Sequence, residues 1–154
     1  MYYTIGDIAK KMNLPTSTIR FYDKQGLLPF LERDKNGRRR FKENDLNFLR
    51  VITCLKKSGV SVDVIAKFVG LCMEGDATLK ERFDYLSMEE SNLVDKITDL
   101  SNQLEYLRYK KWYYEKALEA GTESVNYVEG TTLVNPNLYN EYLSLTSNNA
   151  PQNT

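Results

Sequence analysis

Residues 16–41 read TSTIRFYDKQGLLPFLERDKNGRRRF, a stretch that combines the pattern of a short helix with that of a β-hairpin. Its first residues predict a short helix from about Thr16 to Lys24, which stops at Gly26. A second short helix precedes it, because Thr4-Ile5-Gly6-Asp7 has the pattern of a capping box. Asn13-Leu14-Pro15 separates the two helices. Two short helices joined by a turn of this length have the outline of a helix-turn-helix.

The second part of the stretch predicts a β-hairpin. Two short runs, Leu27 to Glu32 and Arg38 to Phe41, flank the turn Asp34-Lys35-Asn36-Gly37. The Asn-Gly pair favours a tight hairpin because both residues tolerate positive φ. Three successive arginines on the returning strand cannot serve a core, so the hairpin tip must be solvated or bound to an anion.

Two further helices follow the hairpin. The third runs from about Glu43 to Ser58 and ends at Gly59, a residue typical of helix C-termini. Ser61 is a good N-cap for the fourth helix, whose apolar stripe is Ile65, Phe68, Val69 and Cys72. Gly75-Asp76 ends it.

The next segment has the strongest periodicity in the chain. Twelve positions recur at alternating spacings of four and three residues, and ten of them are apolar. Such a seam predicts a coiled coil, with a helix roughly 60 Å long at the usual rise per residue. A chain of 154 residues cannot cover this seam from within, so a second copy is expected to do so. The apolar positions, which are the predicted dimerisation residues, are Leu79, Phe83, Leu86, Leu93, Ile97, Leu100, Leu104, Leu107, Tyr114 and Leu118; Glu90 and Lys111 interrupt them.

The heptad spacing of apolar residues does not continue after Gly121. Asn135-Pro136 predicts the start of a short helix bearing Leu138, Tyr139, Tyr142 and Leu143. Residues 146–154, TSNNAPQNT, are expected to form a disordered end.

Composition excludes several classes of protein. The chain has no histidine and only two cysteines, Cys54 and Cys72, so neither a disulfide framework nor a metal site is expected. No apolar stretch is long enough to span a membrane, and the N-terminus lacks a secretory signal, so a cytoplasmic location is expected.

The net charge of zero is the sum of a basic N-terminal part and an acidic remainder. Residues 1–60 carry 13 basic and 6 acidic side chains, whereas residues 61–154 carry 8 and 15. A basic N-terminal part suggests a module that binds a polyanion.

These residues together resemble the MerR family of bacterial transcription regulators. The resemblance covers about residues 2–75 and is carried by Tyr3 to Ala9, Ser17 to Asp23, Gly26 to Pro29, Arg33-Asp34, Gly37 to Phe41, Asp45-Leu46 and Lys57 to Ser61. It implies a mainly α fold: an N-terminal winged helix-turn-helix with a small β-hairpin wing, followed by a long antiparallel coiled-coil dimerisation helix. The expected domains are 1–75 for DNA binding, 76–120 for dimerisation and 121–154 for a C-terminal tail.

The resemblance also implies the DNA-binding residues. The second helix offers the hydroxyl groups of Ser17 and Thr18, the guanidinium of Arg20 and the phenol of Tyr22, which suit contacts to phosphates and base edges. The wing arginines would supply the salt-dependent share of the affinity for DNA. The predicted set is Thr4, Thr16, Ser17, Thr18, Arg20, Tyr22, Arg38, Arg39, Arg40, Lys42 and Ser61. Strand alternation would turn Arg39 away from Arg38 and Arg40. Phe41 stands where the family usually has Tyr, so a phosphate contact from that hydroxyl is absent. Lys42 replaces a frequent Ser or Thr cap, so the third helix is expected to be less well capped.

The family implies a mechanism and partners. Its homodimers bind a promoter operator in double-stranded DNA, hold it kinked and untwisted when activated, and thereby let RNA polymerase engage the realigned promoter. Deforming the duplex costs a few kcal/mol or more, repaid by contacts that form only on the bent DNA. An effector need only bias which dimer geometry is populated. No cofactor is expected.

The effector is expected to be an aldehyde or another electrophile acting on Cys54. Leu71 to Leu79 and Trp112 to Leu118 look like the AdhR-like, aldehyde-responsive branch, in which a cysteine on the third helix is the trigger. Arg50 and Lys57 lie on the same side of the helix and would favour the reactive thiolate, although the helix C-terminus opposes it. Cys72 falls on an apolar stripe and is interpreted as a core residue.

Three alternatives stay open from the sequence. The C-terminal aromatic residues could line a site for a small apolar ligand or simply pack the tail. The chain could instead be a coiled-coil adaptor whose basic part binds an acidic protein. An enzyme is disfavoured, because no catalytic triad, supported carboxylate pair or phosphate-binding glycine loop is present.

Overall fold

The computed structural model describes residues 1–147. Within residues 1–147, six α-helices and two short strands follow one another: α1 (Ile5–Met12), α2 (Thr16–Lys24), β1 (Glu32–Arg33), β2 (Arg39–Arg40), α3 (Glu43–Lys57), α4 (Val62–Met73), α5 (Leu79–Ala120) and α6 (Leu138–Ser147). Single 3₁₀ turns occupy Asp76–Thr78 and Glu123–Asn126. The predicted fold class, a mainly helical chain with a helix-turn-helix, a two-stranded hairpin and one long helix, is confirmed.

The chain divides into two compact units. The first unit, Met1–Leu93, contains α1 to α4, the hairpin and the start of α5. Its core is a single cluster of apolar side chains contributed by all four helices and by the loop after α2. The most completely buried members are Ile8, Ile19, Leu27, Phe41, Leu49 and Ile65.

The first helix is capped as its sequence predicts. The backbone N–H of Asp7 donates to the Thr4 hydroxyl at 3.2 Å, and the N–H of Thr4 donates to the Asp7 carboxylate at 2.9 Å. Asn13 ends α1 in the left-handed conformation, with φ at 50°, and Pro15 precedes α2. These residues set the tight turn between the two helices.

The hairpin is shorter than predicted. Glu32 pairs with Arg40 and Arg33 with Arg39, whereas Leu27 and Leu28 are buried in the loop and are not part of a strand. Of the Asn-Gly pair in the turn, Gly37 has positive φ, at 77°, and Asn36 does not. The Asp34 carboxylate accepts two backbone N–H groups within the turn.

Helices α3 and α4 begin at caps of different kinds. Lys42 has no side-chain oxygen to offer, but the buried carboxylate of Asp45 accepts its backbone N–H at 2.7 Å and so supplies half of a capping box from within the helix. The N-terminus of α3 is therefore better capped than Lys42 alone predicts. Ser61 caps α4 as predicted, accepting from the N–H of Val64.

The second unit begins at Val94 and contains the rest of α5 together with α6. Tyr109 and Tyr113 of α5 pack against Leu138 and Tyr142 of α6, with Trp112 at the edge of this cluster. The predicted short helix after Asn135-Pro136 is present. Thr146 and Ser147 belong to it, so the expected disordered end does not start at residue 146; residues 148–154 lie outside the described residues.

None of the helices between residues 1 and 147 combines the length and apolar character needed to cross a membrane.

Candidate nucleic-acid interface

Helix α2 presents a narrow exposed stripe because two of its residues are held in the core. Ile19 is fully buried and Tyr22 is only 4% exposed. Residues three and four apart share a helix face, so the opposite face carries one continuous row. The exposed members of that row are Ser17, Arg20, Phe21 and Lys24.

The position of Tyr22 corrects one predicted DNA contact. Its ring belongs to the core cluster, so it does not stand with the exposed residues of α2. Phe21 is the aromatic residue on the outer face, with 43% of its surface exposed. The spacing of Ile19 and Tyr22, three residues apart, was the signal that could have assigned Tyr22 to the core.

The hairpin turn is fixed by Asp34. Its carboxylate oxygen Oδ1 accepts the N–H groups of Asn36 at 2.8 Å and Arg38 at 2.9 Å. The hydrogen bond from the Arg38 backbone is the main reason that the pKa of Asp34 lies below its ordinary value. The turn therefore holds the arginine strand in one conformation.

An arginine-lined groove of about 520 Å³ joins this strand to α2. Arg20 from α2 and the three successive arginines of the hairpin line it, together with N-terminal residues. The full lining is Tyr2, Tyr3, Thr4, Ile5, Arg20, Asp34, Arg38, Arg39 and Arg40. Four arginine residues line this one concave surface, which makes it a candidate site for an anion with several oxygens.

Asp23 neutralises part of this charge. Its Oδ2 lies 2.6 Å from Nη2 of Arg33 and 2.6 Å from Nη2 of Arg39. Arg39 therefore forms an internal ion pair, in keeping with the strand alternation that turns it away from Arg38 and Arg40. Within residues 1–147, Arg20, Arg38 and Arg40 form no ion pair with a carboxylate.

Contacts among Tyr2, Glu32, Arg40 and Lys42 lie at one edge of the groove. The guanidinium carbon of Arg40 lies 3.5 Å from the centre of the Tyr2 ring. The Tyr2 hydroxyl donates to Glu32, and Glu32 also pairs with the ammonium of Lys42. This contact with Lys42 keeps the pKa of Glu32 low and raises the pKa of Lys42. The ammonium group of Lys42 therefore stays charged beside the groove and is paired with the Glu32 carboxylate.

The remaining predicted contacts are short hydroxyl side chains. Thr4 and Ser61 are exposed N-caps, so each hydroxyl already serves the backbone of its own helix. Thr16 and Thr18 are half-buried in the first turn of α2. Only Thr4 of these four lines the arginine-lined groove.

Cys54 lies exposed on α3. Arg50, one turn before it, donates to Asn47 at 3.2 Å, and Lys57, three residues after it, is exposed. Cys72 is only partly exposed and packs against the core, as its stripe predicts. No group of three or more His, Cys, Asp or Glu side chains within residues 1–147 is arranged to hold a metal ion.

The C-terminal aromatic residues pack the tail onto α5. The Tyr109 ring lies 5.0 Å from that of Tyr139 and 5.7 Å from that of Tyr142. Buried Asn126 donates its side-chain N–H to the Tyr113 carbonyl at 2.8 Å. Burial is the main cause that raises the pKa of Tyr113, whose hydroxyl donates to Glu123. These contacts favour the packing alternative over a ligand site.

The predicted coiled-coil seam is uncovered in the single chain. All twelve of its positions are exposed. The ten apolar members range from 37% exposed at Leu93 to 81% at Leu118. An apolar row of this length facing water is typical of a surface that another protein covers.

Residues 3–70 match the family described as MerR HTH family regulatory protein. An uncharacterized HTH-type transcriptional regulator of Haemophilus influenzae is 38% identical over 122 residues, which cover 79% of this chain and 90% of that protein. Similar in fold is the crystal structure of HiNmlR, a MerR family regulator lacking the sensor domain, bound to promoter DNA. Its TM-score is 0.71 at 38% identity, over 81% of this chain and 99% of that one.

The regulator AdhR of Bacillus subtilis is 31% identical over 91 residues, which cover 59% of this chain and 65% of that protein. The AdhR-like branch stays a prediction. The matched proteins are transcriptional regulators and not enzymes.

Proposed function

Because the chain belongs to the MerR family of DNA-binding HTH transcriptional regulators, we propose that it acts as a homodimer that binds and distorts a promoter operator under the control of a small effector. We propose that residues 1–75 bind DNA, that residues 76–120 form the dimer and that a C-terminal tail begins at residue 121.

The arginine-lined groove carries the proposal. It brings Arg20 of α2 together with Arg38 and Arg40 of the wing, and none of these three is paired with a carboxylate within residues 1–147. Phosphates fix the position of a protein on a duplex, and base edges in the major groove specify the sequence. We assign the wing arginines to the phosphates. The exposed stripe of α2 faces the bases.

The relative with promoter DNA supports the proposal that this chain binds a promoter. HiNmlR lacks a sensor domain and binds promoter DNA, and it is similar to this chain over 99% of its own length. A chain of this size therefore needs no separate sensor domain to engage DNA. Double-stranded promoter DNA is the proposed partner, and RNA polymerase is the proposed second partner on the same promoter.

The exposed seam of α5 supports a homodimer. Ten apolar side chains cannot stay in water without a large free-energy cost, and an identical seam offers a matching surface. Two copies would present two arginine-lined grooves to one duplex. Bending the DNA between them costs a few kcal/mol, which contacts at both ends can repay.

Cys54 is the proposed effector site. Its thiol is exposed, so a small electrophile can reach it without unfolding α3. Arg50 and Lys57 lie four residues before and three residues after it on the same helix, so both cations are near neighbours of the thiol. We propose that addition of an aldehyde to this thiol changes which dimer geometry is populated.

A binding experiment tests the function. Duplexes enriched by the full chain from a random-sequence library should bind it more tightly than unselected duplexes of equal length. The affinity should fall steeply with salt, because arginine–phosphate contacts release counterions. Equal binding to selected DNA, unselected DNA and heparin would instead favour the adaptor alternative and overturn the proposal.

A further inference from the structure

The seam of α5 is symmetric about its own centre. Its positions alternate between spacings of four and three residues from 79 to 118, and this order is the same when read backwards. In an antiparallel pair of α5 helices, Leu79 of one copy therefore faces the partner's Leu118. Likewise Phe83 faces the partner's Tyr114, and every seam position meets another seam position.

Two charged residues interrupt this apolar row. Glu90 and Lys111 occupy equivalent heptad positions, and both are exposed in the single chain. In the antiparallel arrangement Glu90 faces the partner's Leu107, and the partner's Lys111 faces Leu86. Glu90 and the partner's Lys111 then stand only four residues apart along the axis, about 6 Å. Both side chains are long enough to meet across that offset.

We propose that Glu90 and the partner's Lys111 form an ion pair, twice in each dimer, and that this pair makes α5 select an antiparallel copy of itself. This inference rests on the proposed homodimer. Within its own chain Lys111 has an exposed ion pair with Glu115, at 3.7 Å between Nζ and Oε1, and such an exposed pair contributes little. A charged residue within an apolar seam costs stability but fixes orientation and register, because wrong pairings place it against apolar or like-charged residues of the partner.

The pair discriminates against the parallel arrangement. There Glu90 would face the partner's Glu90 and Lys111 the partner's Lys111, so that both layers would hold like charges. Like charges placed opposite each other across an interface cost several kcal/mol. The antiparallel arrangement replaces two repulsions by two attractions.

Shifted antiparallel registers are also disfavoured. A shift of one heptad in one direction leaves Tyr114 and Leu118 unpaired and separates Glu90 from the partner's Lys111. The opposite shift keeps the charges close but leaves Leu79 and Phe83 uncovered. These two residues are 57% and 69% exposed in the single chain and need the partner to bury them.

Charge reversal in the full chain tests the inference. Sedimentation equilibrium should show that Glu90→Lys and Lys111→Glu each weaken the homodimer by about tenfold or more, because each variant creates two like-charge contacts. An equimolar mixture of the two variants should form a heterodimer near the wild-type affinity, since its charges are complementary again. The control Glu81→Lys makes the same substitution off the seam and should leave the dimer unchanged.

Orientation is tested by cross-linking in a Cys54→Ser/Cys72→Ser background. A chain carrying Leu79→Cys, mixed with one carrying Leu118→Cys, should form the mixed disulfide rather than two self-linked products. Self-linked products, or charge variants that dimerise like the wild type, would overturn the inference. A wild-type chain that is a monomer at micromolar concentration would overturn the proposed homodimer itself.

Discussion

Asp23 of α2 and Arg39 of the wing form a tight ion pair, in which Nε and Nη2 of the arginine lie 2.7 and 2.6 Å from the same carboxylate oxygen. Arg33 of the opposite strand reaches that oxygen as well. One carboxylate therefore attaches the hairpin to the helix beside it. This attachment holds the wing arginines and Arg20 around a common groove.

Asp23→Asn is expected to weaken operator binding even though it makes the chain more basic. The hairpin loses its attachment to α2, because a neutral amide holds the guanidinium groups of Arg33 and Arg39 less strongly than the carboxylate does. Fluorescence anisotropy with a selected duplex measures the affinity. The control Glu74→Gln removes a negative charge outside the groove; if both variants bound DNA more tightly, net charge rather than wing position would govern binding.

Arg20→Ala and Arg40→Ala are each expected to weaken operator binding at least several-fold while dimers stay intact. Each removes a cation of the groove, so the slope of log affinity against log salt should fall by about 1 for every phosphate that the variant no longer neutralises. Titrations at several salt concentrations check this. Lys56→Ala, an exposed cation on α3 outside the groove, is the control. An unchanged slope in the groove variants would exclude these arginines from the DNA face.

Cys54→Ser is expected to abolish the response of the target promoter to acetaldehyde while preserving DNA binding. Serine keeps the size of the side chain but lacks the nucleophilic thiolate. Reporter transcription with and without the aldehyde, next to an anisotropy titration, separates the two properties. Cys72→Ser serves as the matched control and should respond normally. A normal response in the Cys54 variant would assign the sensing step to another residue.

Acid is expected to remove the contribution of Asp7 to stability. Hydrogen bonds from Thr4 lower the pKa of Asp7 in the folded chain below its ordinary value, which is near 4. The carboxylate therefore stabilises the fold above about pH 4, and this stabilisation is lost as the pH falls through the folded pKa. Thermal unfolding of the wild type and of Asp7→Ala should differ more at pH 7 than at pH 3. An equal difference at both pH values would show that the charge of Asp7 plays no part.

The single tryptophan reports on the α5–α6 cluster. Trp112 lies 5.7 Å from the ring of Tyr142, so Tyr142→Ala should expose it to water and shift its emission to longer wavelength. DNA affinity and dimerisation should not change, because the cluster shares no residue with the groove or with the seam positions. Tyr139→Ala, which removes a half-exposed ring, should shift the emission less. A loss of dimerisation in the Tyr142 variant would give the tail a role in assembly.

Local features of the fold were predictable from the sequence. The caps at Thr4 and Ser61 and the long seam of α5 depend on residues close together in the chain, and the structure has them where the patterns indicate. The two faces of α2 were predictable in principle, since Arg20 and Tyr22 are about 200° apart around a helix. The phenol of Tyr22 suggested a contact with DNA, but its ring packs in the core of the first unit.

Contacts between distant residues were not predictable in this way. Asp23 looked like an ordinary helix residue, and only the folded hairpin brings Arg33 and Arg39 to it. The same holds for the stacking of Arg40 on Tyr2, which joins residues 38 positions apart. Strand alternation set Arg39 apart from Arg38 and Arg40 in the sequence, but the carboxylate of Asp23 that pairs with it was visible only in the fold.

If two copies of this chain present paired arginine-lined grooves to one duplex, native mass spectrometry of the full chain with a selected duplex should show a complex of one duplex with two chains of 17.9 kDa each. No stable complex of one chain and one duplex is expected. A dominant complex containing a single chain would contradict it.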